Sequence, residues 1–168
     1  MKNQMVETDI LIVGGGPAGL STAIHYADLI ARHNEAVESG KLAGAKLPGN
    51  IILLEKANST GNITLSGAVI DPSSLRELLP DIAEKDMPFD TPVLSEDIQF
   101  PTKSSAYKIP FPVPYMDNKG NYIASLGKVV RWLAEIAEKK GVQVFTGFSA
   151  HELIIENEKV VGVRTGAS

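Results

Sequence analysis

The sequence predicts an α/β fold organised around a parallel sheet, and three observations predict it. Ile10 to Val13 is a short, wholly apolar run, the pattern of a strand buried on both faces. Gly14 to Gly16 break that run, and helical spacing starts at Pro17. A second apolar run, Ile51 to Leu54, closes on Glu55. Strand, glycine turn, helix and strand together open a βαβ unit, whose right-handed crossover sets the two strands parallel.

Each element follows from local chemistry. Ala18, Leu20, Ala23, Ile24, Ala27 and Ile30 recur at helical spacing after Pro17, a residue suited to a first helical turn. The polar stretch from His33 to Asn50 contains Gly40, Gly44, Pro48 and Gly49, which predicts an extended loop or a frayed helix end. DPSSLRELLP, from Asp71, predicts a short helix capped by Asp71 or Ser73 and stopped by Pro80. Prolines at 110, 112 and 114 make Ile109 to Pro114 an edge strand or extended segment. Ser125 to Lys140 is an amphipathic helix, with Leu126, Val129, Val130, Leu133, Ile136 and Ala137 on one face and Gly141 as its stop. Three short strands follow, at Val142 to Phe145, His151 to Ile155 and Val160 to Arg164. The parallel pattern then lacks a final crossover, so an incomplete domain, part of a longer protein, is expected.

Composition narrows the function. With 43% hydrophobic and 21% charged residues the chain can bury a core, and disorder is not expected. A net charge of −4 lacks the basic footprint of a nucleic-acid binder. The absence of cysteine excludes disulfides, thiol catalysis and thiolate-held zinc or iron–sulfur clusters from these residues. The first strand begins near Thr8, too early for a signal or transit peptide, and no apolar run has the length of a membrane span. An intracellular protein is expected, with peripheral membrane contact left open.

The motif that carries chemistry is Gly14-Gly15-Gly16-Pro17-Ala18-Gly19, which fits G-x-G-x-x-G between a strand and a helix. Gly14 permits the tight turn, Gly16 lets a pyrophosphate approach the backbone, and Gly19 lets helix and strand pack closely. The unpaired amides of the helix N-terminus then bind the anion. Glu55, with Lys56 beside it, is the acid expected on the ribose of the adenosine half, and it disfavours a 2′-phosphate. It stands 36 residues after Gly19 rather than about 20; the polar loop accounts for the excess. The competing readings are a sharp βα turn and an exposed strand-end carboxylate. His25, His33 and His151 have no metal-ligand spacing, and no catalytic acid, base or nucleophile stands out.

GGGPAGL, LLEK, LSGAVIDP and NKGNYIASLGKVVRWLAE, spread from about Thr8 to Thr165, resemble the beginning of electron transfer flavoprotein:ubiquinone oxidoreductases and their bacterial nitrogen-fixation relatives. The resemblance implies a Rossmann-like FAD-binding domain of the glutathione-reductase type with short antiparallel strands. Residues 1–75 would be its first part, 76–118 an excursion resembling part of the quinone-binding domain, and 119–168 its continuation. It implies FAD, with Leu65, Ser66, Gly67 and Ala68 passing close to the isoalloxazine or ribityl chain; a bare backbone suits a large flat ring. Leu126, with Ser125 and Gly127, is placed near the cofactor phosphates. The complete protein would be an enzyme of the electron-transferring-flavoprotein dehydrogenase type. Its partners would be electron transfer flavoprotein, ubiquinone and a membrane surface, and its [4Fe-4S] cluster would belong to a downstream part. The alternatives are a flavin-dependent prenyl-lipid reductase, geranylgeranyl-reductase-like, and a non-catalytic FAD-binding fragment.

Overall fold

The structure, a computed structural model, describes residues 5–110 and 116–167. In chain order the elements are β1 (Ile10–Val13), α1 (Pro17–Glu38), β2 (Ile51–Glu55), β3 (Ala68–Ile70), α2 (Ser73–Leu78), a 3-10 turn (Glu84–Asp86), β4 (Thr91–Pro92), β5 (Gln99–Pro101), β6 (Ala106–Lys108), β7 (Tyr122–Ala124), α3 (Leu126–Lys139), β8 (Gln143–Thr146), β9 (Phe148–Glu156) and β10 (Lys159–Ala167). They form two compact units. One runs through Thr64 and resumes at Gly127; the other is Leu65–Leu126.

The first unit holds the parallel sheet, in the order β1-β2-β8. Ile10 to Val13 pair in register with Ile51 to Leu54, and Ile52 to Glu55 with Gln143 to Thr146. The central strand β2 is buried at all five residues. β1, expected to be buried on both faces, is only half-covered and Val13 is 57% exposed, because β1 is an edge strand of this sheet among the described residues. Leu20 and Ile24 of α1, Leu53 of β2, and Val130 and Leu133 of α3 form the core. An ion pair between Lys140 and Asp28 links the end of α3 to α1.

Two further sequence expectations need correction. α1 does not fray at His33 but continues to Glu38, since HNEAVE is polar without containing a helix breaker, and Gly40 is the first. The loop that follows is folded back on this last turn. Asn34 Nδ2 donates to Leu47 O (3.0 Å) and Leu47 N–H donates to Asn34 Oδ1 (2.7 Å), while His33 Nε2 lies 3.1 Å from Ala45 O. The last two strands are longer than their apolar runs: β9 and β10 pair antiparallel from Phe148 to Ala167, through a two-residue turn in which Asn157 (φ 49°) and Glu158 (φ 65°) both have positive φ. Backbone pairing carries the ladder past the apolar residues.

The second unit contains an antiparallel sheet, β3-β7-β4, and the β5–β6 hairpin. Leu75, Leu79, Met87 and Ala124 are among its buried apolar residues. Helix α2 begins as expected, with Asp71 Oδ1 accepting the Ser73 N–H at 2.9 Å. Of the proline run, residues 111–115 lie outside the described residues. Tyr122 stacks on Phe89 (centroids 4.7 Å, planes 18° apart) and donates its hydroxyl to Glu84, which also pairs with Arg76.

That cluster predicts a pH window. The Tyr122 hydroxyl and then Arg76 hold Glu84 below its ordinary 4.5, and Glu84 raises Tyr122 above 10.0. The Glu84 contribution is present above its unfolded value and lost as pH falls through the lowered folded value. The Tyr122 contribution is present below 10.0 and lost as pH rises through the raised one. Thermal melts of wild type and Glu84→Gln across pH are expected to converge in acid and separate near neutrality; a constant separation at every pH would contradict this assignment.

Candidate functional site

At the carboxyl end of the parallel sheet the chain turns three times within a small volume, and main-chain hydrogen bonds tie the turns together. Gly14 (φ 109°) reverses the chain after β1, and its N–H donates to Leu54 O at 2.8 Å. Such a φ is costly for any residue with a Cβ. Gly15 N–H donates to Glu55 Oε2 at 2.8 Å, and Ala57 N–H donates to Glu55 Oε1 at 2.7 Å. Gly147 N–H then donates to Ala57 O at 2.8 Å, bringing in the turn after β8.

Glu55 is 8% exposed. The exposed strand-end carboxylate therefore does not describe it. Each oxygen already accepts a main-chain N–H, and a carboxylate has about four acceptor positions, so the buried group fixes two turns and retains capacity for a further donor. Lys56 beside it is exposed.

The glycines divide by what surrounds them. A Cβ on Gly15 would stand 2.9 Å from Glu55 Oε2, and one on Gly19 would stand 1.9 Å from Gly14 O. The protein itself occupies those spaces. A Cβ on Gly16 would meet nothing within 4 Å. Gly16 is the N-cap of α1, in extended conformation (φ −81°, ψ −178°), without a side-chain cap, and the first turn carries no acidic residue. The helix starts at Pro17, followed by exposed Ala18, so its free amides and positive dipole end meet open space. A cleft of about 370 Å³ lies here, lined by Gly14, Gly15, Gly16, Glu55 and Lys56 together with Ile63, Thr64 and Phe148 to Ala150. That size suits a small-molecule site.

Gly14, Gly15, Gly16, Pro17, Ala18, Gly19, Glu55 and Lys56 thus gather in one unit. Leu65, Ser66, Gly67, Ala68 and Leu126 belong to the other. There, Leu65 to Gly67 precede β3 without regular structure, Gly67 has φ 77°, and Ala68 opens β3 opposite Ala124. Sequence reasoning missed Ala57, Gly61 and Phe148. Gly61 (φ 73°) presses on α3, since a Cβ there would lie 2.5 Å from Gly127 O. The only signal for these residues was their position just past an apolar strand. Among the described residues no cluster of His, Cys, Asp or Glu is arranged to hold a metal, and no helix is long and apolar enough to cross a membrane.

No family model matches the chain. In sequence it is 42% identical to the electron transfer flavoprotein-ubiquinone oxidoreductase of Pseudomonas aeruginosa, over 99% of this chain and 29% of that protein. The mitochondrial protein of that name from Bos taurus is 42% identical over 95% of this chain, and that from Homo sapiens 40% over 95%. The chain spans 24% of the length of each. Among solved structures, a geranylgeranyl bacteriochlorophyll reductase-like protein from Thermoplasma acidophilum superposes with a TM-score of 0.64 at 24% identity, covering 95% of this chain and 35% of that one. A myxobacterial chondrochloren halogenase, described as a variant of FAD-dependent halogenases, gives 0.59 at 19% identity, covering 94% and 32%. The likeness carried by GGGPAGL and SGAVIDP therefore extends over nearly the whole chain: in sequence it resembles a segment of the electron transfer flavoprotein-ubiquinone oxidoreductases, and in fold it is a Rossmann-like α/β domain of the kind seen in FAD-dependent enzymes.

Proposed function

We propose that this chain is the FAD-binding part of a flavin-dependent oxidoreductase which, as a complete protein, passes electrons from reduced electron transfer flavoprotein to ubiquinone. One observation carries the binding claim: the uncapped start of α1 faces a cleft at Gly16, where side-chain space is empty, with the Glu55 carboxylate beside it. Amides at a helix terminus and a glycine without neighbours suit a diphosphate, and a buried carboxylate with spare acceptor capacity suits ribose hydroxyls. Gly14, Gly15, Pro17, Ala18 and Gly19 shape that cradle, and Lys56 lines its rim. By resemblance, Leu65, Ser66, Gly67 and Ala68 take the flavin end and Leu126 the phosphates. When bound, the flavin supplies the one- or two-electron chemistry.

Sequence identity of about 42% to proteins named for the quinone reductase supports that reaction over a prenyl-lipid reductase, whose likeness lies in fold at 24% identity. Electron transfer flavoprotein and ubiquinone are then the partners. A [4Fe-4S] cluster would draw its thiolates from outside this chain, which has none. A cytoplasmic protein, or one resting on the cytoplasmic face of the inner membrane, is the matching location.

The test is retention of flavin absorbance by the purified chain after gel filtration. Glu55→Ala is expected to weaken FAD by about 1.5–3 kcal/mol, the range for a charge-assisted hydrogen bond. It also strips the Gly15 and Ala57 amides of their acceptor, so its melting temperature falls as well. Unchanged affinity would remove Glu55 from the site, and a chain that never holds flavin would remove the proposal.

A further inference from the structure

We infer that Phe148 is the stacking platform for the purine of the bound nucleotide, held in place by Phe145. This rests on the dinucleotide reading of the cleft and assigns a part of it that neither the glycine motif nor Glu55 accounts for. The strand order supplies the argument. Gly14 to Gly16 follow β1, Glu55 ends β2, and Phe148 comes two residues past the end of β8, and the sheet runs β1-β2-β8. Neighbouring strands lie about 4.8 Å apart, so diphosphate, ribose and base positions succeed one another across three strand ends. Phosphate-binding amides stand over the first strand and the ribose-binding acid over the second. The third strand end is where the base arrives.

Phe148 is equipped for it. It lines the same cleft as Gly16 and Glu55 and is 44% exposed, although it is a large apolar side chain. Its ring packs at right angles to that of Phe145, with centroids 6.1 Å apart and planes at 85°, an arrangement in which Phe145 can cover at most one of its faces. The backbone beneath it is fixed too. Gly147 has φ 78° and donates its N–H to Ala57 O, so the turn that presents Phe148 is tied to the turn that holds Glu55. A planar aromatic ring beside a ribose site offers stacking to any base.

The experiment titrates the purified chain with ADP and, separately, with inorganic pyrophosphate, which has no base. Phe148→Ala is expected to bind ADP about tenfold more weakly, within the range for loss of one stacked base, and pyrophosphate as wild type does. Phe148→Tyr is expected to restore ADP binding. Equal weakening of both ligands would make the residue a structural prop, and unchanged ADP binding would make it a bystander; either result overturns the inference and leaves the dinucleotide reading standing. If wild type binds neither ligand, that reading falls and takes the inference with it.

Discussion

Gly19→Ala is expected to destabilise the parallel-sheet unit by about 3 kcal/mol, the upper end of the range for overpacking, with or without a nucleotide present. The added methyl would stand 1.9 Å from Gly14 O, a backbone atom that cannot rotate away. To relieve the contact, either α1 must slide from β1 or the Gly14 turn must open. Both moves strain the bond from Gly14 N–H to Leu54 O and shift Leu20, which is fully buried one residue later. Alanine is accepted at this third position in some dinucleotide sites, whereas here the Gly14 carbonyl occupies the place its methyl would take. Chemical denaturation is the measurement: a lower midpoint at unchanged slope is expected, and a midpoint equal to wild type would mean that the close approach carries no weight.

Gly16→Val is expected to do the opposite, leaving the fold and removing the ligand. Its Cβ position has no neighbour within 4 Å and its φ of −81° suits a β-branched residue, so the stability change should stay below about 1 kcal/mol, the scale of an N-cap substitution. A valine there fills the approach to the free amides of α1. FAD affinity should drop on the order of a hundredfold, about 2.8 kcal/mol, comparable with losing one or two charge-assisted hydrogen bonds. Calorimetric titration beside a thermal melt separates the two effects. The pair of variants distinguishes space reserved for the fold from space reserved for a guest, although the motif treats both glycines alike.

How far the site could be read from sequence depended on whether its logic was local. The parallel pairing of β1 with β2, the start of α1 at Pro17 and the buried face of α3 were legible because apolar periodicity and glycine punctuation act within a few residues. The role of Glu55 was only half legible. Its position at a strand end suggested a ribose contact, whereas its bonds to Gly15 and Ala57 exist because two turns close on it in space. Phe148 was hidden for a related reason: β8 enters the sheet beside β2 after an excursion of some 90 residues, and no local pattern announces which strand lies next to which. The end of α1 was not legible, because a polar stretch rich in nearby glycines reads as loop. Glu35, Ala36 and Glu38 are good helix formers, and a helix ends at a breaker rather than where its apolar face stops.

The proposed function puts a diphosphate on the N-terminus of α1 with its ribose against Glu55. The most direct measurement is an amide-resolved NMR titration of the purified chain with ADP. The largest shifts are expected on the amides of Gly15, Gly16, Ala18 and Gly19, with a second set at Lys56 and Ala57. Saturable binding whose shifts fall elsewhere, leaving Gly16 and Ala18 unmoved, would contradict it.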